Sequence, residues 1–174
     1  MLEDGNINQR SVNKVYARIA IVLVMALLAL LFTFQKGKSD DNAIQEKESE
    51  WKNLVQVRKT IHLHWLRTLN PLVKETDGDL IWNTDLQKGL MRFVNLPKLK
   101  EGQYYHLWIY DLHQSTEKPV SGGVFASIKG SREKFYVPII PEQEIIQPFK
   151  FLLTMGNLGD KTFSRSQSLL LAQP

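Results

Sequence analysis

Between Arg18 and Gln35 the chain reads IAIVLVMALLALLFTF, Ile19 to Phe34, and Thr33 is the single polar interruption. As a helix rising about 1.5 Å per residue, this run covers roughly 24 Å, close to the ~30 Å hydrocarbon core of a bilayer. Val15, Tyr16 and Ala17 extend it. Arg18 then lies at the boundary, where its long side chain snorkels to the headgroups, and Tyr16 serves as an interfacial anchor. A buried helix of a soluble core usually breaks its apolar run with polar residues. This one is instead bounded by Arg10, Lys14 and Arg18 on one side and Lys36 and Lys38 on the other. The pattern predicts a transmembrane helix over 15–34 in contact with lipid.

A secretory signal peptide shares the basic lead and the apolar run. The run here exits through Thr33, Phe34, Gln35 and Lys36 without a small-x-small cleavage pattern, so an uncleaved anchor is expected. The basic residues before the run favour a cytoplasmic tail over 1–14 and export of the residues C-terminal to the span. The expected location is a bacterial inner membrane, crossed once, with the C-terminal part outside the cytoplasm.

The remainder of the 174-residue chain suffices for one core rather than two. The 22 Lys and Arg and 18 Asp and Glu of the full chain are dispersed, unlike the clustered basic footprint that nucleic acid requires. With no cysteine, disulfide frameworks, thiolate metal sites and thiol catalysis are excluded.

Residues 35–58 read as a linker and stalk. Gln35 to Asn42 is polar, and Asn42 with Gln45 has capping-box spacing. Ile44, Trp51 and Val55 then share one helical face, predicting a short juxtamembrane helix that docks onto the adjoining domain.

From Lys59 the pattern changes to short β-rich runs divided by turn chemistry. Thr60 to Arg67 alternates as a single strand, and Thr76 to Asp79 reads as a turn. Leu80 to Asn83 and Gly89 to Leu96 form a hairpin about Asp85. Gln103 to Leu112, apolar on both faces, suits the interior of a sheet. Gly123 to Ser127, Phe135 to Ile139, Phe149 to Met155 and Ser168 to Ala172 complete about eight strands. The expected fold is mainly β, an Ig-like sandwich over 59–174.

Signals for chemistry are sparse. His62 and His64 form an H-x-H pair on one strand face, with His106 and His113 as further imidazoles; such a pair chelates a transition metal when a third ligand joins it. Ser121-Gly122-Gly123 lacks the strand-to-helix setting of a nucleophile elbow and reads as a turn or bulge entering a strand. Asp77 and Asp79 around Gly78 lack the later carboxylate of a calcium loop and read as a hairpin turn. Gly156 to Asp160 (GNLGD) lacks phosphate-loop context and reads as a β-turn. No catalytic, metal or cofactor residue is assigned from the sequence, and a non-enzymatic protein is expected.

The blocks GDLIWN (Gly78 to Asn83), QKGLMRFVNLP (Gln87 to Pro97), YYHLWIYD (Tyr104 to Asp111), SGGVF (Ser121 to Phe125) and the stretch from Phe151 to Ala172 resemble, in order and spacing, the C-terminal domain of the anti-sigma-K factor family. The resemblance implies an extracytoplasmic Ig-like domain on one membrane helix that responds to an envelope signal and controls an extracytoplasmic-function sigma factor. The family's cytoplasmic helical domain has no counterpart in Met1 to Arg18, which is too short to bury a core. The expected partners are therefore the bilayer and a membrane protein or a component of the sigma-factor pathway. The alternative is a periplasmic metal or ligand binder that uses His62 and His64.

Overall fold

A computed structural model describes residues 44–114, 118–126, 134–157 and 168–174, together with Met25. The chain divides into two compact units, Met1–Gln45 and Glu46–Pro174. Among the described residues no helix is long and apolar enough to cross a membrane. The expected span over 15–34 lies outside them except for Met25, which is helical.

Within the second unit the β-rich reading holds. Helix α1 occupies 44–55. Among the described residues nine strands succeed it: β1 (Thr60–His64), β2 (Leu66–Arg67), β3 (Asp77–Asn83), β4 (Lys88–Val94), β5 (Gln103–Asp111), β6 (Val120–Phe125), β7 (Phe135–Ile139), β8 (Pro148–Asn157) and β9 (Ser168–Ala172). They form two antiparallel sheets, ordered β1-β3-β4-β7 and β2-β9-β8-β5-β6. A short 3-10 turn, Pro71–Val73, joins β2 to β3 and is capped by the Asn70 side chain.

One core joins the sheets. Alternation sends Leu80, Trp82, Met91 and Phe93 inward from the four-stranded sheet, to share a cluster with Leu107, Ile109, Phe151 and Leu153 from the five-stranded one. β5 lies between β8 and β6, the interior position its doubly apolar pattern predicts. Its Tyr105 hydroxyl, pushed to a higher pKa by burial, donates to the Pro97 carbonyl.

The structure corrects four expectations. First, Thr60 to Arg67 is not one strand. The run changes sheets at Trp65: β1 pairs with β3, whereas β2 pairs with β9. Trp65 is buried at this corner and stacks on Phe93, while its backbone N–H donates to the Gly78 carbonyl at 3.1 Å.

Second, Asp77-Gly78-Asp79 is not a turn but the start of β3, paired with Phe93 and its neighbours on β4. Gly78 has φ 145°, and a Cβ there would lie 2.0 Å from the Arg92 carbonyl oxygen. The glycine therefore serves close strand pairing rather than chain reversal.

Third, Gly156 belongs to β8 rather than to a turn; residues 158–160 of that motif lie outside the described residues. Fourth, Ser121 to Gly123 lie within β6 itself, beside a register shift opposite Leu107 and Trp108, so the bulge interrupts the strand after it has begun.

Gly78→Ala places a methyl group against immobile backbone and forces φ out of its glycine region. It is expected to lower unfolding free energy by about 2–3 kcal/mol in chemical denaturation. An unchanged stability shows that β3 and β4 do not approach as described.

Candidate functional site

Side chains at alternate positions of the four-stranded sheet that do not enter the core form its outer face. β3 contributes Asp79, Ile81 and Asn83; β1 contributes His62 and His64; β4 contributes Leu90 and Arg92; β7 contributes Tyr136. This face is divided. Ile81, Leu90 and Tyr136 make an apolar patch, on which Trp51 and Leu54 of α1 are buried. Asp79, Arg92 and the two histidines make a polar patch beside it.

The polar patch centres on Asp79, whose carboxylate is almost wholly buried, its side chain only 2% exposed. Arg92 lies directly opposite on β4, and its guanidinium grips the carboxylate with two bonds, Nε to Oδ1 at 2.6 Å and Nη2 to Oδ2. From β1, His62 Nε2 approaches Oδ2 at 2.8 Å. A buried carboxylate is tolerated only when charge and hydrogen bonds compensate its lost hydration, and both flanking strands supply that compensation here. Burial acts to lower the Arg92 pKa, but Asp79, together with Tyr136, outweighs it, and the net shift is upward.

Trp51 sits at the border between the patches. Its ring meets His62 edge-on at 5.7 Å and lies 5.7 Å from Tyr136, and the Arg92 guanidinium carbon stands 4.9 Å from its centroid. Charge pairs flank it: Glu48 with Lys134 at 3.3 Å, and Glu50 with Lys88 at 2.9 Å. Hydrogen bonds to Lys52 and then Lys134 lower the Glu48 pKa. For Glu50, burial acts to raise the pKa, and bonds to Lys47 and Lys88 overcome it to leave it lowered. The expected docking helix is therefore present, with one change: Leu54 takes the buried position, and Val55 is 40% exposed.

Of the imidazoles, the structure brings His62 and His64 together, with ring centroids 5.4 Å apart. It does not bring His106 or His113 to them. His106 is on β5 of the other sheet, stacked on Trp108 at 3.7 Å, with Nε2 3.0 Å from Ser121 Oγ; burial lowers its pKa, against the charge of Glu142. His113 lies just after β5, where its backbone N–H donates to Asp111. Among the described residues no group of three or more His, Asp or Glu side chains is placed to hold a metal ion.

What sequence reasoning missed is the Asp79–Arg92 pair. The available signal was a charge of each sign embedded in strongly apolar strands, LIW after Asp79 and LM before Arg92, where an uncompensated charge is costly. No family model, curated protein or solved structure matches the chain.

Asp79→Ala leaves the Arg92 charge without its partner and is expected to lower stability by about 3 kcal/mol, whereas His62→Ala, which removes a half-exposed partner, costs less than about 1 kcal/mol. Equal losses in denaturant titrations contradict this ranking. A separate expectation concerns pH. Carboxylates whose folded pKa lies below the ordinary 4.5 stabilise the fold above that value and lose the contribution as pH falls through the lowered one. The stability advantage of the wild type over a Glu48→Gln/Glu50→Gln variant should thus be present at neutral pH and shrink below pH 4.5. A difference that grows on acidification reverses the sign and rules out stabilisation by these ion pairs.

Proposed function

We propose that the chain is a single-pass, membrane-anchored sensor or interaction module of the bacterial inner membrane. Residues 15–34 form the span, the N-terminal tail lies in the cytoplasm, and the two-sheet domain lies outside it. The module works by contact rather than catalysis, in control of an extracytoplasmic-function sigma factor through a membrane partner or a cleavage machinery. The resemblance of five sequence blocks to the anti-sigma-K factor C-terminal domain supports this reading. So does the sheet arrangement, four strands against five with the first run shared between them, which is compatible with an Ig-like sandwich.

The observation that carries the proposal is the seating of α1. Helix α1 is part of the domain's packing, through Trp51 and Leu54. Burying a tryptophan and a leucine contributes roughly 4–6 kcal/mol before opposing terms. That is a bias that the binding energy of a partner can overcome or reinforce. A partner that engages the outer face of the four-stranded sheet then alters the path of the chain toward the membrane.

Two experiments test this. A reporter active only in the periplasm, fused after Pro174, is expected to be active; silence overturns the topology. Crosslinking in intact cells, with purification of the solubilised full chain, is expected to recover a membrane protein, and Trp51→Ala is expected to reduce that recovery at equal expression. Recovery of no partner overturns the interaction role.

A further inference from the structure

Each sheet ends in two edges, and an edge strand presents alternating backbone N–H and C=O groups that another extended chain is suited to pair. Among the described residues, three of the four edges are blunted. β2 is two residues long. At β6, the Gly122 and Ser121 carbonyls accept from the N–H groups of Ile140 and Glu142 at 2.9 and 3.0 Å, so the chain leaving β7 covers that edge. β7 itself carries Pro138, which has no N–H to donate.

The β1 edge has none of these protections. The strand is five residues long, pairs with β3 on one side, and contains no Pro, Gly or Lys. Its phase follows from one bond. The Trp65 N–H donates to the Gly78 carbonyl at 3.1 Å, so Trp65, and with it Leu63 and Ile61, turn their backbone groups toward β3. Thr60, His62 and His64 turn theirs away from the sheet. The Thr60 N–H donates back to the Val57 carbonyl at 3.1 Å, in keeping with this phase. Helix α1 packs on Ile81, Leu90 and Tyr136 of the other three strands, and it meets β1 at the His62 ring, above the sheet rather than beside its edge.

Charge selects the occupant. No acidic residue lies between Glu50 and Glu75 in the chain, whereas the exposed Arg58 stands just before β1 and the exposed Arg67 just after it. The carboxylates of β3 and its turn are engaged: Asp79 is held by Arg92, Asp85 pairs with Lys59 at 2.9 Å, and Asp77 accepts from the Gly78 N–H at 2.8 Å. A second copy of β1 laid along this edge brings another Arg58, Arg67 and pair of imidazoles to the same place, an unfavourable like-charge contact. An acidic strand meets complementary charge instead.

We propose that β1 is a strand-addition site for an extended, acidic segment of another protein, which pairs with the outward N–H and C=O groups of His62 and His64 and enlarges the four-stranded sheet to five. The segment's carboxylates answer Arg58 and Arg67. This names the partner chemistry for the interaction role above, and it rests on that role but not on the membrane topology.

The test uses the full chain in mild detergent and a library of random ten-residue peptides. Selected peptides are expected to be rich in Asp and Glu and poor in Lys and Arg. For the tightest of them, His64→Pro, which deletes one outward N–H and no bond to β3, is expected to weaken binding roughly tenfold, and His64→Ala to change it less than about threefold. N-methylation of that peptide, one residue at a time, needs no folded variant: binding should fall at every second position, because one edge of the added strand faces β1. Selection of no binder, selection of basic or neutral peptides, equal binding by His64→Pro, or N-methyl effects without the two-residue period each overturn the proposal. Self-association of the chain in sedimentation that His64→Pro abolishes makes a second copy the occupant, which also overturns it. A partner crosslinked in cells whose recovery His64→Pro leaves unchanged keeps the interaction role and removes strand addition. Recovery of no partner removes that role, and the inference with it.

Discussion

A carboxylate buried in the middle of a sheet imposes order on everything near it. Asp79 is supplied from both sides, by Arg92 on β4 and His62 on β1, and it obtains those partners only in the observed register. A slip of one residue in either pairing turns the partner to the opposite face and leaves the charge uncompensated, at a cost of several kcal/mol. Because the carboxylate holds Arg92 in place, the guanidinium is positioned over Trp51, and because Trp51 is held there, α1 has a seat. Charge compensation, strand register and helix position are thus linked in one sequence of dependence.

The helix gains from this link more than from its own propensity. A helix of this length is marginal in isolation, since nucleation is costly and few backbone bonds repay it. The ion pairs Glu48–Lys134 and Glu50–Lys88 lie at the surface, where solvent screens them and each contributes little. Stability at this contact therefore comes chiefly from the burial of Trp51 and Leu54, with the salt bridges fixing direction. A contact of that size is firm at rest and small enough for binding energy to offset, as the proposed sensor role requires.

Much of the β framework is legible in the sequence, because alternation and turn chemistry are local. β7 and β9 have the bounds their sequences predict, and the β3–β4 hairpin turns where Asp85 suggests. The misses are all non-local. Alternation continues unbroken through Trp65, so nothing local signals that Leu66 and Arg67 exchange β3 for β9. Asp-Gly-Asp is sound turn chemistry, overridden by the pairing of Gly78 with Phe93. Val55 and Leu54 are consecutive and stand about 100° apart on a helical projection, and which one is buried depends on the sheet beneath. Asp79 and Arg92 become a site only once β3 and β4 are in register. The H-x-H spacing suggests His62 as half of a metal pair, but its Nε2 is engaged by Asp79.

The proposed role requires α1 to be integral to the domain, since a helix that is merely appended transmits nothing. Native-state hydrogen exchange of the full chain measures this residue by residue. Amides near Trp51 and Leu54 are expected to exchange with opening free energies approaching those of β3 and β4, and Arg92→Ala is expected to lower the helix values more than those of β8. Helix amides that exchange at the rate of an unstructured peptide, while the strands remain protected, contradict it.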